Sequence, residues 1–326
     1  MTTPSLAAGL DLGGTKVLGR VLDPADPRRA LAEARVDTPR GGDAIVAAMV
    51  DLVGRLDDQL GAAGHAPVAA VGLGAAGLVD TEGVLRTAPN LPGVVEFPFG
   101  AALGAALGRP VRVENDATTA TLAEHRLGAG RGASDLVLVT LGTGIGSGVI
   151  AGGELQRGAH GFAGEAGHML VDPHGPPCPC GQRGCWERFA SGSGLGRLAR
   201  DAAQAGRADG VVARAGGDPE QVRGEHVGRA ALDGDAEALT IVDDFAWWVA
   251  LGLANIVNLL DCGLVIIGGG LVDMGDLLLA PVRRSFGELV LAAPHRPDVR
   301  IVAAELGSDA GAAGAWLLAD EARPPA

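Results

Sequence analysis

Residues Ala8–Leu22 read AGLDLGGTKVLGRVL, and their interpretation decides the fold. Ala8–Leu12 is a short apolar run, Gly13-Gly14-Thr15-Lys16 is a tight polar turn, and Val17–Leu22 is apolar again, a strand–turn–strand pattern. About 125 residues on, Leu136–Ile150 repeats it as LVLVTLGTGIGSGVI, with Gly142-Thr143-Gly144-Ile145-Gly146 in the turn. That spacing is too long for a solenoid repeat and suits two related domains.

The segments between these hairpins alternate in period. Asp43–Leu60 carries apolar residues at helical spacing, Val68–Leu73 and Val111–Val113 read as strands, and Ala117 to about Leu127 reads as a helix. After the second hairpin come helices over Ser191–Ala205 and Ala236–Leu260. A buried strand over Leu264–Ile267 ends in Gly268-Gly269-Gly270, followed by a last strand, Val299–Val302, and a last helix, Ala310–Ala319. Such alternation predicts an α/β fold. Two α/β domains with a cleft between them are expected: a small one over 1–113 and a large one over 114–309, with the helix of about 310–326 packing back on the first.

Composition narrows the class. The chain has 326 residues, 47% of them hydrophobic, and a net charge of −13. It can bury a large core, and its acidity argues against wrapping nucleic acid or coating an anionic membrane. Residues 1–10 lack a signal peptide pattern, and apolar stretches such as Leu259–Ile267 are too short to span a bilayer. Lys16 is the sole lysine, inside the first glycine turn. Three of the four cysteines, Cys178, Cys180 and Cys185, crowd into eight residues, a spacing that suits a metal in a reducing cytoplasm better than a disulfide framework.

The motifs define candidate sites. Turns at Gly13–Lys16 and Gly142–Gly146 offer backbone N–H groups, the Thr15 and Thr143 hydroxyls and the Lys16 ammonium to a phosphate chain, and Gly268–Gly270 is a third close-approach loop, suited to a nucleotide's sugar and base. Gly72-Leu73-Gly74-Ala75-Ala76-Gly77 matches G-x-G-x-x-G, but a turn follows instead of a helix, so it is no dinucleotide fingerprint. Glu114-Asn115-Asp116 closes a strand and opens a helix. It suits an N-cap, and equally a carboxylate serving as general base. His168, Cys178, Cys180 and Cys185 form a Cys₃His set for structural zinc, with His174 as the rival nitrogen ligand and Cys262 in the core. Glu165 and Glu187 flank that knuckle and suit the hydroxyls of a polyol.

Together, Asp11–Lys16, Glu114-Asn115-Asp116-Ala117, Leu141–Gly148, Glu165 with His168, and the run from Cys178 to Glu187 resemble the ROK family of sugar kinases and repressors, in order from Gly9 to about Ala319. The resemblance implies an actin-like ATPase (ribonuclease H-like) fold closing on sugar and ATP, usually as a homodimer or dimer of dimers. It implies Asp116 as the base on a sugar hydroxyl, with Gly77, Asn90, Asn115, Asp116, Glu165, His168 and Glu187 around the sugar. Gly13, Gly14, Thr15, Lys16, Gly142, Thr143, Gly144 and Gly146 would hold the phosphates, Gly269 and Gly270 the adenosine, and Asp11 would position Mg²⁺. His168 would serve both zinc and sugar.

Within the family the chain is most similar to bacterial glucokinases, through Ala88-Pro89-Asn90-Leu91-Pro92-Gly93 and the Cys185-Trp186-Glu187 ending, with Val94 where many relatives carry Trp. ATP-dependent phosphorylation of glucose is therefore expected. N-acetylmannosamine, N-acetylglucosamine or fructose are the alternative acceptors, and polyphosphate is the alternative donor. A sugar-responsive repressor is the reading from another class, opposed by the eight residues ahead of Gly9 and by the acidic charge.

Overall fold

A computed structural model describes residues Ser5–Glu321. The chain opens with strands β1 (Ala7–Leu12), β2 (Lys16–Asp23) and β3 (Asp26–Asp37), then helix α1 (Gly42–Ala62) and strand β4 (Ala70–Ala75). Short strands β5 (Leu78–Val79), β6 (Leu85–Thr87) and β7 (Val95–Phe97) form a small antiparallel sheet. Helix α2 (Phe99–Leu107), strand β8 (Val111–Asn115) and helix α3 (Asp116–Leu127) follow. The second hairpin is β9 (Leu136–Leu141) and β10 (Ile145–Ala151), succeeded by β11 (Glu154–Leu155). Helices α4 (Glu187–Ala190), α5 (Gly192–Gln204), α6 (Asp209–Arg214), α7 (Gly224–Leu232) and α8 (Ala236–Leu260) lead to β12 (Leu264–Gly268), α9 (Asp276–Leu289), β13 (Arg300–Ala303) and α10 (Ala310–Glu321).

Two compact units result. The first takes the chain up to Gly132, Gly148–Gly164 and the chain from Glu305; the second takes Ala133–Ser147 and Glu165–Ala304. The expected boundary at 113/114 thus falls inside the first unit. The reason is pairing: β8 lies parallel beside β4, and α3, which grows out of β8, packs on α10. Of the C-terminal segment expected as helix, residues up to Glu321 are helical and pack on β1, β4 and α3; 322–326 lie outside the described residues.

The repeat visible at 8–22 and 136–150 is a repeat of topology. One sheet runs β3-β2-β1-β4-β8 and the other β11-β10-β9-β12-β13, so each places its third, second, first, fourth and fifth strands in the same order. In the first, β1, β4 and β8 are parallel, and the register pairs Leu12 with Ala75 and Ala75 with Asn115. In the second, β9, β12 and β13 are parallel, with Gly268 opposite Thr140 and Ile267 opposite Ala303. Carboxyl ends of the parallel strands therefore line up along one edge of each sheet, which is where open α/β sheets take ligands.

Alternation along β1 assigns the two faces. Leu10 and Leu12 join Ile45, Met49, Leu52, Val53, Leu56 and Leu60 of α1 in one buried cluster. Each such side chain contributes about 1.5–3 kcal/mol when fully buried. Gly9 and Gly72 present the opposite face to α10, which lies so close that a Cβ would stand 2.0 Å from the Ala312 oxygen at Gly9 and 1.8 Å from the Ala315 oxygen at Gly72. The G-x-G-x-x-G match is thus accounted for by packing: its first glycine admits a helix backbone.

In the second unit, α8 passes between α9, α7, α5 and α4. It is the one described helix long and apolar enough to cross a membrane by length and composition, and 61% of its most apolar window is buried within the protein. Its Gly252 receives the indole of the fully buried Trp186, whose Nε1 donates to the Trp248 carbonyl at 2.7 Å.

Candidate active site

The first glycine turn is braced through its carbonyls. Thr38 donates from Oγ1 to the Gly13 oxygen (2.8 Å) and from its N–H to the Thr15 oxygen (3.0 Å), while the Gly13 N–H closes the turn on the Lys16 carbonyl. The second turn is held in the same way by the start of α5: the Gly192 N–H and Ser193 Oγ donate to the carbonyls of Gly142 and Thr143, both at 2.7 Å. Among the described residues, no hydrogen bond uses the N–H groups of Gly14, Thr15, Thr143 or Gly144. Two turns with tethered carbonyls and unspent N–H donors are suited to anions. Lys16 is exposed at the first and forms no ion pair among the described residues.

Gly269 closes on the strand that feeds the second turn. Its φ is +82°, and a Cβ there would lie 2.5 Å from the Leu141 oxygen. The Gly268–Gly270 loop and the Gly142–Gly146 turn, far apart in sequence, are therefore neighbours in one unit.

Asn115 ends β8 and caps α3, its Oδ1 accepting the N–H groups of Ala117 (2.9 Å) and Thr118 (3.1 Å), while Nδ2 donates to the Gly77 oxygen at 3.0 Å. The N-cap reading is thereby realised, and Gly77 and Asn115 are brought together. Asp116 is the first residue of α3, with Oδ1 accepting the Ala117 N–H. Burial raises its pKa, opposed by the backbone N–H groups of Ala117 and of Asp116 itself and by the Asn115 side chain. Asn90 is exposed and its backbone lies against Gly14, at the first glycine turn. Val94, two percent exposed, is packed into the core of the first unit.

Asp11 points from β1 onto Gly311 of α10. Burial, with the nearby Asp116 charge, pushes its pKa up to about 6, and Lys16 offsets part of the rise. A carboxyl whose folded pKa lies above its unfolded value of 3.8 favours the folded state while protonated. That contribution is full below 3.8 and is lost as pH rises through about 6. Asp11→Asn is therefore expected to raise Tm by a few degrees at pH 8, with the gain vanishing below pH 4. Melting curves of both proteins across pH check this; an equal difference at pH 4 and pH 8 contradicts it.

In the second unit the four predicted zinc ligands converge. The ligand atoms of His168, Cys178, Cys180 and Cys185 all lie within 4.8 Å of one another, with Cys180 Sγ 3.6 Å from Cys185 Sγ and Cys178 Sγ 3.9 Å from His168 Nδ1. Zn–S bonds near 2.3 Å in a tetrahedron set ligand atoms about 3.8 Å apart, so the set fits zinc. His174 is outside the cluster. Burial pushes the Cys178 and Cys185 thiols up, so metal binding releases protons there.

Glu187, at the start of α4, accepts from Cys178 Sγ at 3.1 Å through Oε1 and turns Oε2 toward Gly144 of the second glycine turn. With Nδ1 of His168 turned to the sulfurs, Nε2 faces Glu165 at 3.9 Å. An imidazole and two carboxylates thus stand at the knuckle. Thr38, Gly192 and Ser193, which brace the two turns, escaped the sequence reading because isolated Thr, Gly and Ser in a chain with 53 glycines carry no local signal.

The described residues thus present a glycine turn on each sheet, a half-buried carboxylate at a strand end and a Cys₃His cluster. The ROK family model matches residues 7–322. Glucokinase of Streptomyces coelicolor is 39% identical over 98% of this chain and 99% of its own. N-acetylmannosamine kinase of Salmonella typhi is 33% identical over 95% and 97%. Among solved structures, a ROK family glucokinase from Streptomyces griseus, in complex with glucose and AMPPNP, superposes with a TM-score of 0.84 at 39% identity, covering 97% of this chain and 100% of that one. The chain belongs to the ROK family, and its fold is the actin-like ATPase fold.

Proposed function

We propose that this protein is an ATP-dependent hexose kinase that converts glucose to glucose 6-phosphate. The observation that carries the reading is the 39% identity, over nearly the whole chain, to a glucokinase solved with glucose and an ATP analogue, in a chain whose Asp116, glycine turns and Cys₃His cluster have the geometry described above.

Asp116 is the general base. It takes the proton of the sugar 6-hydroxyl as that oxygen attacks the γ-phosphorus; the new O–P bond forms, the bond to the β–γ bridging oxygen breaks, and ADP leaves. Gly77, Asn90, Asn115, Glu165, His168 and Glu187 bind sugar hydroxyls. If zinc sits on His168 Nδ1, the Nε2–H becomes a fixed donor, while the carboxylates are acceptors. Gly13–Lys16 and Gly142–Gly146 receive phosphate oxygens, and Gly269 and Gly270 the adenosine. Asp11 would hold Mg²⁺, which would supply positive charge to offset that developing on the phosphates. His168, Cys178, Cys180 and Cys185 would hold zinc, which would supply a structural cross-link rather than a reacting centre. The reading extends to a homodimer or dimer of dimers in the cytoplasm, on the family resemblance.

Phosphorylation of N-acetylmannosamine is the second reading, favoured by the 33% identity to a kinase of that name. Initial rates with ATP·Mg²⁺ or polyphosphate, against glucose, mannose, fructose, N-acetylglucosamine and N-acetylmannosamine, decide. Glucose with ATP is expected to lead in kcat/KM by about tenfold or more, the scale of pocket discrimination between close analogues. A lead for an N-acetyl sugar keeps the mechanism and overturns the substrate.

A further inference from the structure

Glu114 precedes the Asn115-Asp116 pair on β8 and is 5% exposed. A buried carboxylate beside a strand end that already carries another is costly unless compensated. Its partner is Arg157, whose Nε donates to Glu114 Oε2 at 2.6 Å across 43 residues of sequence.

Arg157 opens the loop that runs to Gly164. The loop is anchored ahead of it where the Gln156 N–H meets the Val149 carbonyl of β10, and it closes on itself where the Ala163 N–H donates to the Arg157 carbonyl at 3.1 Å. Midway, Gly161 presses on the backbone of Asp80, so closely that a Cβ would stand 2.8 Å from it. Asp80 is itself fixed, its Oδ1 accepting the N–H groups of Glu82 and Val84 and its Oδ2 paired with Arg86. All of this belongs to the first unit, and the loop ends at Gly164, one residue before Glu165.

We infer that Glu114 and Arg157 are a positioning pair, fixing the strand end that carries Asn115 and Asp116 to the 157–164 loop of the same unit. The inference rests on the hexose kinase reading. The pair touches neither substrate in that reading; it sets where Asn115 and Asp116 stand. A purely structural pair would show itself in stability alone, whereas a positioning pair must alter hexose handling and leave ATP handling unchanged.

The test compares Arg157→Lys, Arg157→Met and Glu114→Gln in the full-length protein, reading Tm, kcat, and KM for hexose and ATP. Arg157→Met is expected to lower kcat at least about tenfold and to raise hexose KM several-fold, since sub-ångström to 1 Å misplacement of reacting groups costs up to about 100-fold. ATP KM should stay within about twofold, and Arg157→Lys, which retains the charge, should recover most of kcat. Hexose-induced shifts in Tm give the same ordering without turnover and cover any variant too weak to assay. Folded variants with kcat and hexose KM near wild type overturn the inference, as does a loss that falls equally on ATP. A wild type inactive on every hexose overturns the kinase reading instead, and the inference with it.

Discussion

Asp116→Asn is expected to lower kcat for hexose phosphorylation by about 10²–10⁴-fold, the usual contribution of a positioned general base, with the protein still folded. The substitution keeps side-chain size and the oxygen that accepts the Ala117 N–H, so the start of α3 is preserved. What disappears is the basic oxygen. Stability should hold or rise, because a partly desolvated charge is removed from beside Asp11, and Asp11 should titrate lower without it. In the wild type, burial raises the Asp116 pKa, so the acid limb of kcat/KM should lie above the ordinary carboxylate range, activity growing as pH rises through it. Steady-state rates and Tm on both proteins check the expectation. Retention of more than a tenth of wild-type kcat would remove Asp116 from the base role.

Loss of zinc is expected to abolish hexose binding. Residues 169–186 contain only isolated bridges, Leu170 with Cys185 and Pro177 with Arg183, and the next helix, α4, is four residues long. Turn hydrogen bonds and the buried Trp186 support that stretch, but three of the four ligands lie within it, and His168, Glu165 and Glu187 border it. Apparent zinc free energies of about 10–16 kcal/mol in small Cys/His sites rival the stability of a whole domain. Metal analysis should find one zinc per chain. Cys185→Ser, at a fully buried ligand, should bind less than a tenth of that, melt about 10 °C lower, and lose hexose affinity by about 100-fold or more. Metal-free protein with unchanged hexose affinity contradicts the account.

Much of this was legible in the residues, for physical reasons that differ by element. The two hairpins stood out because glycine turns interrupt strongly apolar strands, and Ala236–Leu260 emerged with the bounds the structure gives it. Strand β3 was missed because DPRRALAEARVD alternates alanine with charge; alanine carries little apolar contrast and favours helices. Helix α9 was hidden by Pro281 and Gly287 within it. The zinc ligands were legible because three thiols in eight residues are rare, and the structure separates His168 from His174, which spacing left open. The limit at 113/114 was not, since the parallel pairing of β8 with β4 and the packing of α3 on α10 are long-range contacts that no local pattern encodes.

The most direct measurement is phosphorus NMR of the products when wild-type protein is incubated with glucose and ATP·Mg²⁺. The account predicts glucose 6-phosphate and ADP in equal amounts, with no product from Asp116→Asn on the same timescale. ATP left intact in the presence of glucose, or phosphate carried on a different hydroxyl, would contradict it.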